Sequence, residues 1–112
     1  MADPWQIVTG RWEMIRVVNS QGGTDNGHLD FYETKNPGKV ARIHMVDIYD
    51  VTDIKGINDV LTFKKGTSEY SAILTKVFDQ NGNQVPFLTG FYWNGSTPQR
   101  SWHAWHTGQP VP

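Results

Sequence analysis

Short runs rich in Val, Ile, Thr, Tyr, Phe and Trp recur along this chain, and Gly, Asn, Asp or Pro interrupts them about every eight to twelve residues. That spacing leaves little room for helices of ordinary length, and helical periodicity of apolar residues is nearly absent. The pattern predicts an all-β protein of short antiparallel strands. The expected strands cover 6–18, 28–33, 40–49, 60–64, 69–78, 85–93 and 101–107. Side chains alternate between the two faces of a strand, so the first strand puts Trp12 and Met14 on one face and Arg11, Glu13 and Ile15 on the other. In the third, Ala41, Ile43 and Met45 oppose Arg42 and His44. In the fifth, Tyr70, Ala72, Leu74 and Phe78 share a side. Asn81-Gly82 supplies positive backbone dihedrals for a tight hairpin. The stretch 47–59 is open between a loop and a helical turn capped by Asp50 and ended by Gly56.

Seven to eight sequential strands with short connections form a meander. A meander of this size avoids exposed edges by closing into a small barrel, the favoured reading, or by folding into a β-sandwich. The 112 residues suit a single β domain spanning 1–112, with short flexible ends near 1–4 and 108–112.

Composition removes several function classes. Ten Lys and Arg balance eleven Asp and Glu, so no global charge favours nucleic acid or an anionic membrane. The basic residues Lys35, Lys39 and Arg42, and the pair Lys64 and Lys65, lack interleaved aromatics. Without cysteine there is no disulfide framework, thiolate nucleophile or zinc-thiolate site. No apolar run approaches the length of a membrane span, and no secretory leader opens the chain, which predicts a cytoplasmic protein.

Gly10-Arg11-Trp12 on the first strand resembles the Gly-x-Trp that opens the calycin barrels, the lipocalin and avidin group, and Arg100 resembles the arginine that packs over that tryptophan. The resemblance implies an up-and-down barrel with a ligand cavity at one mouth. An avidin-type biotin site is not recognisable in the sequence.

Catalytic patterns are sparse. There is no Gly-x-Ser-x-Gly and no phosphate-binding glycine loop, and the calcium-loop likeness at Asp79 fails at Gln84 and Gly90. His103 and His106, three apart on a strand, point to opposite faces and do not chelate one ion, so neither a metal site nor a cofactor is expected. The remaining acid/base arrangement pairs Glu13, Asp30 or Glu33 with His28 or His44 in a barrel lumen.

The chain's chemistry is concentrated between 91 and 106, where three of five tryptophans and two of four histidines lie. Flat apolar faces interspersed with neutral hydrogen-bonding groups suit a sugar, whose C–H face stacks on indole while its hydroxyls need directional partners. The expected ligand-binding residues are Trp93, Asn94, Gln99, Arg100, Trp102, His103 and Trp105. The expected function is non-catalytic, lectin-like carbohydrate binding, strengthened by homo-oligomerisation. The alternative is a calycin-like barrel that binds or converts a small apolar molecule in a lumen lined by Phe31, Met45, Tyr70 and Leu74.

Overall fold

The computed structural model describes residues 9–32, 41–45, 48–96 and 98–111. Gly10–Val17 (β1), Thr24–Phe31 (β2), Ala41–His44 (β3), Ile48–Asp50 (β4), Thr52–Ile57 (β5), Val60–Lys65 (β6), Ser68–Phe78 (β7), Gln84–Trp93 (β8) and Arg100–His106 (β9) are its strands. All pair antiparallel in one sheet, ordered β4-β3-β2-β1-β9-β8-β7-β6-β5. No helix occurs among the described residues.

The two strands at the ends of that order, β4 and β5, are joined by Val51 alone. A one-residue link brings opposite edges of the sheet together only if the sheet curls round on itself. β4 and β5 are therefore two parts of one bent strand. The first pairs with β3 and the second with β6, and the Val51 amide donates to Ala41 O at 3.1 Å. The bend coincides with a register shift between Thr52 and Lys55, where Asp53 has φ of 53°. Across the seam, Lys65 Nζ of β6 lies 4.4 Å from the Tyr49 ring of β4. The result is a nearly closed barrel, and the single continuous sheet excludes the sandwich.

This corrects the expectation for 47–59. Its described part is strand rather than loop or helical turn, because pairing with Leu61, Thr62 and Lys64 outweighs the local capping preference of Asp50. The predicted 40–49 strand divides into β3 and β4; its residues 40 and 46–47 lie outside the described residues, as do the predicted flexible end at 1–4 and Glu33.

Strand alternation sends Trp12, Met14, Leu29, Phe31, Ala41, Ile43, Leu61, Phe63, Tyr70, Ala72, Leu88, Trp102 and Ala104 to the interior, where all are buried. Register organises them in rows. Phe63, Tyr70 and Tyr92 lie side by side across β6, β7 and β8, and their rings stack at 5.0 and 4.9 Å with 10° between planes. Trp102 meets Phe63 and Tyr70 edge to face at 5.9 and 5.8 Å. Such pairs contribute about 0.5–1.5 kcal/mol each beyond the area they bury.

Gly90 sits between Ala72 and Trp102 in this register, and a Cβ there would strike the Ser71 carbonyl oxygen and come within 2.6 Å of Ala72 Cα. At the β7–β8 turn only Gly82 has positive φ, +80°; Asn81 is instead fixed through its amide, which with that of Asn83 donates to Asp79 Oδ1 at 2.8 and 2.9 Å. Phe78, expected to share a face with Tyr70, ends up exposed, because β7 and β8 run past the start of β6 as a projecting hairpin.

Candidate functional site

On the outer face of β6, β7 and β8, Lys64, Glu69 and Trp93 form one register row and Thr62, Ser71 and Phe91 the next. With Asp53 and Lys55 of β5, Gln99 of the β8–β9 connection, and the intervening Phe63, Tyr70 and Tyr92, these residues line a trough of about 420 Å³. Trp93 is 42% exposed and Phe91 55%, so two aromatic rings on the same face of β8 are open to solvent. Lys64 Nζ stands 3.8 Å from Asp53 and 3.9 Å from Glu69, long contacts between exposed groups. Pairs of this kind contribute about 0–1 kcal/mol and yield readily to a competing hydrogen-bonding partner.

The seven expected ligand residues do not form one surface. Trp93 and Gln99 reach the trough. His103 and Trp105 lie lower on the outer face, half-buried, in a stacked series with Phe87 at 5.7 and 5.9 Å. Asn94 is turned into its own loop, where Oδ1 accepts from the Ser96 amide and hydroxyl at 3.0 and 3.2 Å. Trp102 is 1% exposed and donates its indole N–H to Phe91 O at 3.1 Å, so no surface sugar stacks on it. Its parity with Ala104, rather than with His103 and Trp105, decides this. Sequence reasoning missed Asp53, Lys55, Lys64, Glu69 and Ser71, which come from strands far from the aromatic segment; the alternation of the 60–64 and 69–78 runs was the only signal for their direction.

Arg100 also faces inward, and its Nη1 donates to Val18 O at 2.6 Å. It does not pack over Trp12. The residue of β9 opposite Trp12 is His106, six positions away or roughly 20 Å along the strand. His106 meets Trp12 edge to face at 5.3 Å. Its Nδ1 accepts from the Gly108 amide at 2.9 Å, which leaves Nε2 to donate to Thr9 O at 2.8 Å and identifies the neutral Nε2–H tautomer. Gly10 makes this possible: at φ +120°, a Cβ would lie 2.7 Å from His106 Nε2 and 2.8 Å from Gln109 O. At the start of the end expected to be frayed, the Arg11 amide donates to Gln109 O at 3.0 Å.

Glu13 and His28 do pair, at 3.3 Å, with His44 next in the row at a ring separation of 6.3 Å. The row is on the outer face, not in a lumen, because it alternates with Trp12, Leu29 and Ile43. No three His, Asp or Glu side chains among the described residues converge as a metal centre. Of the four residues expected to line a lumen, Phe31 and Tyr70 are buried in packed core, and Met45 and Leu74 pack against it.

The barrel end that carries the 18–23, 66–67 and 94–99 connections, its upper mouth, is polar inside. Arg16 Nη1 donates to Tyr70 Oη at 3.0 Å and Nη2 to Asp25 Oδ2 at 3.2 Å, and the guanidinium carbon lies 5.9 Å from the Tyr92 ring centre. The Tyr92 hydroxyl donates to Val17 O. Burial opposes the charge on Arg16, but Tyr70 and Asp25 more than offset it and hold its pKa above the ordinary value. Burial pushes the Tyr70 hydroxyl up against the opposing effect of Arg16. Arg16 Nε is buried with no hydrogen-bond partner.

Comparison with protein-family models, with curated proteins and with solved structures gives no match to this chain. No helix among the described residues is long and apolar enough to cross a membrane.

Proposed function

We propose that the protein is a non-catalytic carbohydrate-binding module whose site is the outer trough across β5–β8. The observation that carries this is the pairing of a solvent-open indole, Trp93, with a wall of hydrogen-bonding side chains in a hollow of about 420 Å³. Hollows of roughly 300–1,000 Å³ suit small organic ligands. The Trp93 and Phe91 rings offer flat apolar area for a pyranose C–H face, while Gln99, Ser71, Asp53, Glu69 and the two lysines offer donors and acceptors at different heights. A lipid site would carry fewer polar groups, and a polyphosphate site would not place two carboxylates on the wall.

Open sites of this kind bind weakly one at a time, and several copies held together raise the apparent affinity. The exposed row Ile57, Val60 and Ile73 beside the trough is the surface through which copies associate in this reading.

A glycan array probed with wild-type protein and with Trp93→Ala tests the site. Binding to a coherent set of glycans, lost in a variant with unchanged circular dichroism and melting temperature, is the expected result. Binding that survives Trp93→Ala and Phe91→Ala together, or a folded wild-type protein silent across the array, overturns it. Sedimentation velocity tests the association, with a monomer at all concentrations as the contrary result.

A further inference from the structure

Two arginines of β1 each face an aspartate of β2 in register, Arg11 with Asp30 and Arg16 with Asp25. They are bonded differently. Arg11 presents its Nε and Nη2 to both carboxylate oxygens of Asp30, each at 2.9 Å. Arg16 sets Nη2 against one oxygen of Asp25 at a longer 3.2 Å, and Nε, the other donor of the same guanidinium edge, is buried and unpaired. That edge matches the two oxygens of a carboxylate, so at Arg16 one of its two positions is filled and the other is bare. A buried N–H of a charged group that no protein atom accepts is costly until some other acceptor reaches it.

The surroundings favour such a visitor over a purely structural pair. Arg16 is held from the far side by Tyr70 Oη and flanked by the Tyr92 ring, so two groups besides Asp25 position the guanidinium. Asp25 is the looser member, with a side chain 32% exposed against 13% for Arg16. Its alternation with Leu29 and Phe31 places it inside the upper mouth, where solvent reaches it. An incoming carboxylate that took both Nε and Nη2 would turn Asp25 outward by rotation about its side-chain bonds. It would leave the sheet ladder and the Tyr70 contact in place.

We infer that Arg16, at the upper mouth of the barrel, is a receptor for the carboxylate of a small organic acid, and that Asp25 occupies part of that seat until the acid displaces it. Arg16 is on the inner face of the sheet, sharing Tyr70 and Tyr92 with the lining of the trough, and the inference does not rest on the carbohydrate reading. Asp25 sets the affinity, since every bound acid must compete with a tethered carboxylate.

The test titrates wild type, Asp25→Asn and Arg16→Lys with sodium benzoate, indole-3-acetate and hexanoate, and with inorganic phosphate. Binding is followed by tryptophan fluorescence and by the Arg16 Nε–H resonance. Saturable binding of a monocarboxylate is expected, tightened by at least about tenfold in Asp25→Asn and weakened by at least about tenfold in Arg16→Lys, which keeps the charge but loses the two-donor edge. The Nε–H resonance moves on binding. A structural ion pair predicts the reverse for Asp25→Asn, a loss of stability with no gain of binding, and that result overturns the inference. So does absence of saturation in both wild type and Asp25→Asn, binding of phosphate alone, or an Nε–H resonance that no acid shifts. If Arg16→Lys fails to fold, the Asp25→Asn comparison and the resonance decide.

Discussion

Replacing Trp102 by alanine separates core from site among the C-terminal tryptophans. The side chain is 1% exposed, packs edge to face on Phe63 and Tyr70, and donates its indole N–H to Phe91 O. Truncating a buried tryptophan to alanine costs about 3–5 kcal/mol. Against a total stability of about 5–15 kcal/mol for a domain, the loss is a large fraction of the whole. At about 4 °C per kcal/mol for a chain of this size, melting should fall by about 15 °C. Trp102→Phe keeps an aromatic ring but removes the N–H, and should cost about 1–2 kcal/mol. Trp93→Ala, on the open outer face, should stay within about 0.5 kcal/mol. Urea and thermal denaturation of the three variants, followed by circular dichroism, measure these changes. A Trp102→Ala protein as stable as wild type would refute the core assignment, and a Trp93→Ala protein destabilised by more than about 2 kcal/mol would show Trp93 to be structural.

Tyr70 makes stability fall in alkali: its folded pKa is raised above 10, chiefly by burial, so its contribution is complete below pH 10 and is lost as pH rises from there through the folded value. Ultraviolet titration should find one tyrosine that ionises above the ordinary range, and that step should vanish in Tyr70→Phe. Gly90→Ala puts a methyl group against the Ser71 carbonyl oxygen and should cost about 3 kcal/mol or prevent folding, as measured by melting temperature and soluble yield. Asp30→Asn removes half of a two-bond ion pair whose carboxylate is buried and should cost about 3 kcal/mol; an unchanged urea midpoint would show that the pair contributes nothing.

The fold was legible because alternation is a local property. Trp12 and Met14, Ala41 and Ile43, and Tyr70 and Ala72 all fall inward as their spacing predicts. Residues 52–57 were not legible, since Asp53 and Gly56 carry turn chemistry and become strand only when Leu61 to Lys64 supply a partner. The site was legible in part. Composition marked 91–106 as aromatic, and Trp93 is open. Counting tryptophans, however, did not separate Trp93, at an outward position of β8, from Trp102, at an inward position of β9. Nor could spacing reveal that Lys55 and Glu69 join Trp93, because that depends on register between strands rather than on sequence within one.

Val51 is the one residue shared by the two ends of the sheet. Every ladder in this molecule would survive a break in the chain there, yet the seam would then be bridged by side-chain contacts such as Lys65 over Tyr49 and no longer by the backbone. Circularity in this protein is thus a property of the covalent chain as much as of its hydrogen bonds.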